Sequence, residues 1–502
     1  MMLWFFLSPL LLVGSGALLL MLAEAFAKPG RREGFALGTA VVFAAGLMAS
    51  VGCWLHGLDG APEATSLSPW LVVDRFTLFF DGLFCLGGLL AALIAGGYLR
   101  EHRMERGEFY MLLMFSTLGA MMIAGAGDIL TVFLGLETMS IGAYALTAFR
   151  RTSPRSAEGA IKYFLLGAFG AAVLLFGFAL LYGATGHTDL KGIGASLSTM
   201  TSGVSSSRGV QPGLVWVALP FVLVGLLFKV SAAPFHMWTP DAYEGAPTAA
   251  TTYMAAVVKA GAFAMLLRVL FGVFGHATFM SWASGWPPAL ALIAVVTMTV
   301  ANLVASQQES VKRMLAYSSI AHAGYLLVGV VTAGHGKAQA ASTVLFYLVT
   351  YTVSTAGAFG ALVLCGRRGA EAVTYEDLSG IGRRHPPAAL ALSLFLVSLA
   401  GFPPTAGFFG KWFIFRNAID SGFYILTIVA FLNSVVAAYY YLRVMVFMYM
   451  REPAAGAPIA TPMRSGFVTA ALLISAVFVL FLGLMPSSTL DVAIDAAAVF
   501  GG

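Results

Sequence analysis

Apolar runs long enough to cross a bilayer recur from one end of this chain to the other, and no polar stretch between them is long enough to fold as a soluble domain. A spanning helix takes roughly 20 apolar residues. Gly, Pro and charged punctuation divides the 502 residues into fourteen such segments, the first at 3–26 and the last at 465–485. Only 10% of the residues are charged, where a soluble domain carries about 25%. The predicted fold class is an all-α polytopic membrane protein of about 14 transmembrane helices. The first segment is read as a span, because no basic stretch precedes it and it is too long for a signal-peptide core. Cys53, Cys85 and Cys365 lie far apart in apolar runs, with none of the spacings of a disulfide framework, a zinc site or a c-type haem.

Lys and Arg in a membrane protein record orientation, so the charge of +5 is no sign of nucleic-acid binding. Loops after odd-numbered segments hold 17 basic residues and loops after even-numbered segments hold 5, which places both termini on the outer side. Six more basic residues fall inside segments: Lys162, Lys229, Lys259, Arg268, Lys411 and Arg443. A charge at the centre of a spanning helix costs about 2.5 to 3.5 kcal/mol, and something must compensate it. Glu137 is the only ionisable residue of the fifth segment, and Lys259 is central in the eighth. Lys229 stands five residues before Pro234 and Lys411 seven after Pro404, in the two segments with internal prolines. The competing reading for Glu137, Lys229 and Lys259 is a static buried ion pair. Lys162 has Glu158 one turn earlier and is open to reading as a snorkelling lysine with an i,i+4 partner. Arg268 and Arg443, close to segment ends, are expected to snorkel. Of the histidines, only His236 and His322 lie within spans; their spacing does not argue for haem, whereas an imidazole among the hydroxyls of 316–325 suits proton relay.

Segments seven (213–243) and twelve (387–415) read as interrupted helices, with Pro234 and with Pro403 and Pro404 as hinges. Proline frees a carbonyl one turn back, and such backbone is tolerated at membrane depth only beside protein or water. Two breaks five segments apart fit two five-helix units of opposite orientation, an inverted repeat. The expected divisions are 1–105 for a three-helix N-terminal part, 106–280 for the first repeat, 281–452 for the second and 453–502 for the last helix and tail.

Four stretches carry a resemblance: 156–169 (SAEGAIKYFLLGAF), 228–248 (FKVSAAPFHMWTPDAYEGAPT), 313–325 (RMLAYSSIAHAGY) and 398–411 (SLAGFPPTAGFFGK). Through them the chain resembles the antiporter-like membrane subunits of the proton-translocating NADH:quinone oxidoreductase, respiratory complex I, related to Mrp sodium/proton antiporters. KYFLLGAF and YEGAPT resemble the subunit N branch in particular. Lysine at 411 fits the N or L branch better than M, and the short stretch after Met485 fits N better than L. The resemblance places the family's charged positions on Glu137, Lys162, Lys229, Lys259 and Lys411. It implies a bacterial inner membrane, other membrane subunits as partners including antiporter-like neighbours, and FMN, iron–sulfur clusters and quinone in partner subunits, with none in this chain. The Gly/Ser-rich stretch 192–209 departs from the family and is expected to lengthen an external loop.

The function expected is proton translocation through buried Glu, Lys and His groups, driven by redox chemistry elsewhere in the complex. Burial disfavours an ammonium and a nearby carboxylate favours it, so movement of Glu137 would switch Lys229 between holding and releasing a proton. Lys259 would pass protons through water and His322 toward Lys411, with His236 beside the first hinge. The alternatives are a D-type subunit of a multisubunit sodium/proton antiporter, and a scaffold whose buried charges are purely structural.

Overall fold

The computed structural model describes residues 2–27, 34–57, 67–202, 211–335, 339–366, 371–453 and 462–500. Among them are thirteen helices long and apolar enough to cross a membrane. They are α1 (Ser8–Ala25), α2 (Gly34–His56), α3 (Arg75–Glu101), α4 (Gly107–Ala124), α5 (Ile129–Thr147), α6 (Pro154–Thr185), and, after the shorter α7 (Leu190–Ser202), α8 (Pro212–Lys229). The short α9 (Trp238–Gly245) leads into α10 (Thr248–Val273), α11 (Pro287–Ser306), α12 (Val311–Gly334) and α13 (Gln339–Leu364). The twelfth expected segment is split into α14 (Pro386–Ala400) and α15 (Ala406–Asp420), 15 residues each, and the chain closes with α16 (Tyr424–Met450), α17 (Gly466–Leu484) and the short α18 (Pro486–Ala497). Several of the basic loop residues that set the expected orientation, such as Lys28, Arg208, Lys337 and Arg367, lie outside the described residues.

Helix starts follow local chemistry. Asp74 accepts a hydrogen bond from Thr77 N at 2.8 Å to open α3, and Asp128 accepts one from Leu130 N at 2.7 Å to open α5. Such caps satisfy amides that have no partner in the first turn. α6 begins at Ser153-Pro154 and ends at Gly186, whose φ of +74° is the left-handed conformation that glycine adopts without strain.

Four helices, α3, α10, α12 and α13, are buried nearly all round and make the centre of the bundle. α6 and α16 bury one side and expose another that is itself apolar, including Ile161, Phe164, Leu165 and Phe169 on α6 and Ile425, Ile428 and Phe431 on α16. A helix apolar on its exposed side faces hydrocarbon or another subunit rather than water.

The stretch expected as a longer external loop is helical in its described part. Leu190, Ile193 and Leu197 recur at helical spacing and are buried, and Asp189 accepts from Gly192 N at 2.6 Å to start the helix. Glycine and serine content suggested a loop, but the apolar stripe prevails once α10 offers a surface to pack on.

Candidate functional site

Both expected interruptions are present, and each sits against a lysine. α8 stops at Lys229, followed by Ser231 with φ +64° and then Pro234. The freed backbone is satisfied from the side: Trp238 Nε1 donates to Phe228 O at 3.3 Å, and Ala233 N donates to Thr297 Oγ1 at 2.9 Å. α14 stops at Gly401, with φ +91°, before Pro403 and Pro404. Here Gly407 is required by space as well, since a Cβ on it would lie 1.8 Å from Ser398 O. Pro234, Pro403 and Pro404 are all exposed on the surface of the chain. The sequence showed no sign of a third irregularity, a π-helical turn at Met254–Val258 that ends at Lys259. Single π turns inside α-helices are frequent at functional positions.

Lys229, Lys259 and Lys411 are 3%, 3% and 5% exposed, and none has a carboxylate within ion-pair distance among the described residues. Neutral groups hold each of them. Lys229 Nζ donates to Ser140 Oγ at 2.8 Å and Tyr144 OH at 3.3 Å, beneath the rings of Tyr144 and Tyr163 at 5.5 and 6.0 Å. Tyr163 in turn stacks on Trp238 at 4.1 Å, which ties the aromatic cage to the break. Glu137, one turn before Ser140 on α5, makes no ion pair with Lys229, and its Oε1 is buried without a hydrogen-bond partner. In this conformation the carboxylate and the ammonium are therefore apart, with the Ser140 hydroxyl as the group on α5 that meets the lysine.

Lys259 Nζ donates to Ser319 O at 2.5 Å and lies 5.7 Å from the Tyr351 ring. Tyr351 OH donates to Ser319 Oγ at 2.8 Å. One turn further along α12, His322 meets Tyr347 OH through Nδ1 at 2.6 Å and Tyr441 OH through Nε2 at 3.1 Å, and Tyr441 also bonds Ser318. Both ring nitrogens thus have hydroxyl partners, as a relay through an imidazole needs. A further turn on is Tyr325, whose ring lies 5.0 Å from Lys411 Nζ and whose hydroxyl accepts from Asn302 at 3.2 Å. Ser319, His322 and Tyr325 form one stripe along α12, which brings Lys259 and Lys411 to opposite ends of a single polar line. Lys411 Nζ donates to Ala400 O at 2.9 Å, a carbonyl at the C-terminal end of the half-helix α14, where the partial negative charge of a helix suits a cation. A groove of about 570 Å³ opens from Lys411 past Trp412 and Phe415 to Arg416 and Asp420.

Lys162 is not part of this line. Its side chain is 43% exposed and bonds Glu158 at 2.6 Å, the i,i+4 partner, and Asp241 at 2.7 Å. Arg313 joins the same cluster through Asp241 and Glu244, both at 2.8 Å. His236 sits half-buried within the first break, its Nδ1 buried and without a hydrogen-bond partner. Arg268 departs from the expectation of snorkelling: it is 7% exposed, pairs with Asp74 at 2.6 Å and donates to Thr77 Oγ1 and to Ala124 O. Nearness to a segment end suggested an escape to the surface, but Asp74 caps the neighbouring α3 at the same level and captures the guanidinium. Arg443 donates to Ser306 O at 3.1 Å, at the C-terminal end of α11.

Sequence reasoning found the hydroxyls beside His322 on its own helix but missed those supplied by other helices. Ser140 and Tyr144 follow Glu137 at i+3 and i+7, a spacing that a face count would have found, whereas Tyr347, Tyr351 and Tyr441 come from distant helices. It also missed Asp81 of α3, 4% exposed with Oδ1 lacking a partner, and Glu371, which pairs with the buried Lys312 at 3.2 Å. Burial alone would raise the Glu371 carboxyl, but the Lys312 ammonium and the hydroxyls of Tyr98 and Thr248 bring it down to about 2.

Spanning helices with two side-supported interruptions, and a polar line of buried lysines with no carboxylate at ion-pair distance among the described residues, define the class of antiporter-like, proton-translocating membrane subunits. Residues 126–437 match the family described as NADH:quinone oxidoreductase/Mrp antiporter, TM. NADH-quinone oxidoreductase subunit N 1 of Sorangium cellulosum is 62% identical, with 97% of each chain covered. Subunit N of Trichlorobacter lovleyi is 43% identical over 89% of this chain and 88% of that one. Among solved structures, a chain of respiratory complex I from Thermus thermophilus superposes with a TM-score of 0.77 at 35% identity, covering 96% of this chain and 98% of that one. A chain of the Mrp complex from a Dietzia species has a TM-score of 0.85 at 22% identity over 99% and 97%, a likeness of fold alone. The chain belongs to the NADH-quinone oxidoreductase subunit N family: it is a multi-pass, proton-translocating membrane subunit of respiratory complex I. The antiporter alternative shares the fold, while close sequence identity lies with subunit N.

Proposed function

We propose that protons cross this subunit by way of Lys229, Lys259, His322 and Lys411, with Glu137 as the switch. The supporting observation is that the three central lysines are held by hydroxyls, carbonyls and aromatic rings rather than by carboxylates. An ammonium bound only by neutral acceptors can give up its proton without leaving a buried carboxylate uncompensated, which a static ion pair cannot do. Arg268–Asp74 and Lys312–Glu371 have the structural kind of pairing, so the two kinds coexist in one chain. Glu137, with an unpartnered buried oxygen one turn from Ser140, is placed to approach Lys229 when its helix or rotamer shifts. The two breaks supply backbone beside Lys229 and Lys411, His236 lies within the first of them, and Lys162 with Asp241 and Arg313 forms a charged cluster at the surface.

Moving one charge against 100 mV takes about 2.3 kcal/mol. That energy comes from partner subunits, which carry FMN, iron–sulfur clusters and quinone, with antiporter-like subunits as neighbours. Both termini lie on the outer side of the membrane, and 106–280 and 281–452 form inverted repeats.

The decisive experiment uses the whole complex in inside-out vesicles. Lys259→Met is expected to leave assembly intact and to abolish or strongly reduce proton uptake linked to NADH oxidation. Wild-type proton uptake per electron in an assembled Lys259→Met complex would remove this residue from the pathway and favour a purely structural role.

A further inference from the structure

We propose that Glu371 is a positioning residue that closes the inner end of the Lys259 pathway by holding Lys312. This rests on the pathway proposed above and adds to it a device that sequence reasoning did not reach.

Glu371 is anchored by backbone rather than left at the end of a free loop. Val311 N donates to Val373 O at 2.7 Å, and Ser310 and Thr374 form an antiparallel bridge, so the segment is fastened to the first turn of α12. The carboxylate faces inward from there. Oε1 accepts from Thr248 Oγ1 at 2.8 Å, from Thr248 N at 3.2 Å and from the Tyr98 hydroxyl, and Oε2 accepts from Lys312 Nζ at 3.2 Å. Lys312 also donates to Ala246 O at 2.6 Å and is 1% exposed, whereas Glu371 is 17% exposed and so reaches toward solvent. Arg150 and Glu244 are the other charges that act on Lys312.

One carboxylate thereby joins α3, the first residue of α10 and α12. The last two are the helices that bear Lys259 and its partner Ser319. Lys312 and Ser319 are seven residues apart, which puts them on one face of α12 about 10 Å apart along the axis. Ser319 accepts from Lys259, and the Tyr243 side chain approaches Ser319 from α9. Lys312 therefore lies on the face of α12 that carries Ser319, His322 and Tyr325, one turn beyond the buried Leu315 and Ala316, and the Lys312–Glu371 pair stands across the inner end of that face. While the pair is made, the ammonium is fixed on Ala246 O and Glu371. When it opens, Lys312 can swing away from that position and let the inner solvent advance along this face toward Ser319 and Lys259. A charged acceptor is worth roughly tenfold or more in such an equilibrium.

The test compares Glu371→Gln, Glu371→Asp and Lys259→Met complexes in inside-out vesicles, reading assembly, electron flux and protons taken up per electron. Gln keeps the hydrogen-bond acceptor for Thr248 and Tyr98 but removes the charge from Lys312. Glu371→Gln is expected to assemble, to keep electron flux within about twofold and to lower protons per electron by about half or more, because a gate that no longer holds lets protons back. Glu371→Asp is expected to restore most of the loss, which a residue needed only for packing would not require. If Glu371→Gln fails to assemble, Thr248→Val, which removes one donor and keeps the bulk, is expected to lower the ratio in the same direction. Unchanged protons per electron in Glu371→Gln, or in Thr248→Val where that is the variant read, would overturn the proposal. A dead Lys259→Met with a normal Glu371→Gln refutes the gate alone, whereas a normal Lys259→Met refutes the pathway on which it rests.

Discussion

Arg268 offers the most quantitative test of how this bundle is held. Its guanidinium donates to both Asp74 oxygens at 2.6 and 3.0 Å, to Thr77 Oγ1 at 2.9 Å and to Ala124 O, and it lies 4.5 Å from the Phe76 ring. Those contacts join α3, the end of α4 and α10, nine residues or about 13 Å beyond Lys259 along the helix. The side chains of the pair are 8% and 16% exposed, so the interaction is little screened by solvent. Removing one member of a buried ion pair typically costs 3 to 5 kcal/mol, because the other is left uncompensated, while replacing both with neutral groups costs far less (roughly zero to a gain). Arg268→Met is therefore expected to destabilise the subunit by about 3 to 5 kcal/mol. Asp74→Asn is expected to act in the same direction, and the double variant to lose much less than the sum. The assay is detergent unfolding of the purified subunit followed by helix content, with the coupling taken from the double-mutant cycle. Additivity within about 0.5 kcal/mol would refute the reasoning.

The same pair carries a pH signature. Burial would raise the Asp74 carboxyl, but the Arg268 guanidinium, with Thr77, holds it below the usual 3.8. A carboxylate depressed on folding stabilises fully above its unfolded value, and that contribution is lost as pH falls below about 3.8 toward the folded value. In Arg268→Met this acid-side loss is expected to shrink.

Two other predictions concern the site. Ser140→Ala removes one of two hydrogen bonds to the Lys229 ammonium; a bond to a charged group is worth about 1.5 to 3 kcal/mol, so proton-linked turnover is expected to slow about tenfold in assembled complex, and a wild-type rate would release Ser140 from the line. Gly407→Ala would place a methyl 1.8 Å from Ser398 O at the second break; loss of assembled complex on native gels is expected, and an assembled, active variant would show that the break can relax.

Much of the architecture was legible along the chain because its cause is local. Apolar length marked the spans, and Pro234 and Pro403-Pro404 marked the interruptions, since a missing amide breaks a helix wherever it lies. A lone Glu or Lys in an apolar run is conspicuous for the same reason: its cost arises from the membrane, not from a particular neighbour. By that measure Lys229, Lys259, Lys411 and His322 stood out along the chain. Lys162 was conspicuous too, and its i,i+4 partner Glu158 was legible, whereas Asp241 and Arg313, which complete the cluster, lie on other helices.

The amino-acid order by itself determined that the chain is a membrane bundle, where its helices break and which charges must be accommodated inside it. Beyond the i,i+4 pair of Lys162 and Glu158, tertiary structure alone decided which charges are paired and which are held by neutral groups. It took Arg268 inward to Asp74, set Glu371 across from Lys312, and gathered Tyr347, Tyr351 and Tyr441 from two helices around His322. Insertion cost depends on one residue and its surroundings, so it can be read from a window of sequence. Pairing depends on which helices meet and at what level, and that is set only when the whole bundle packs.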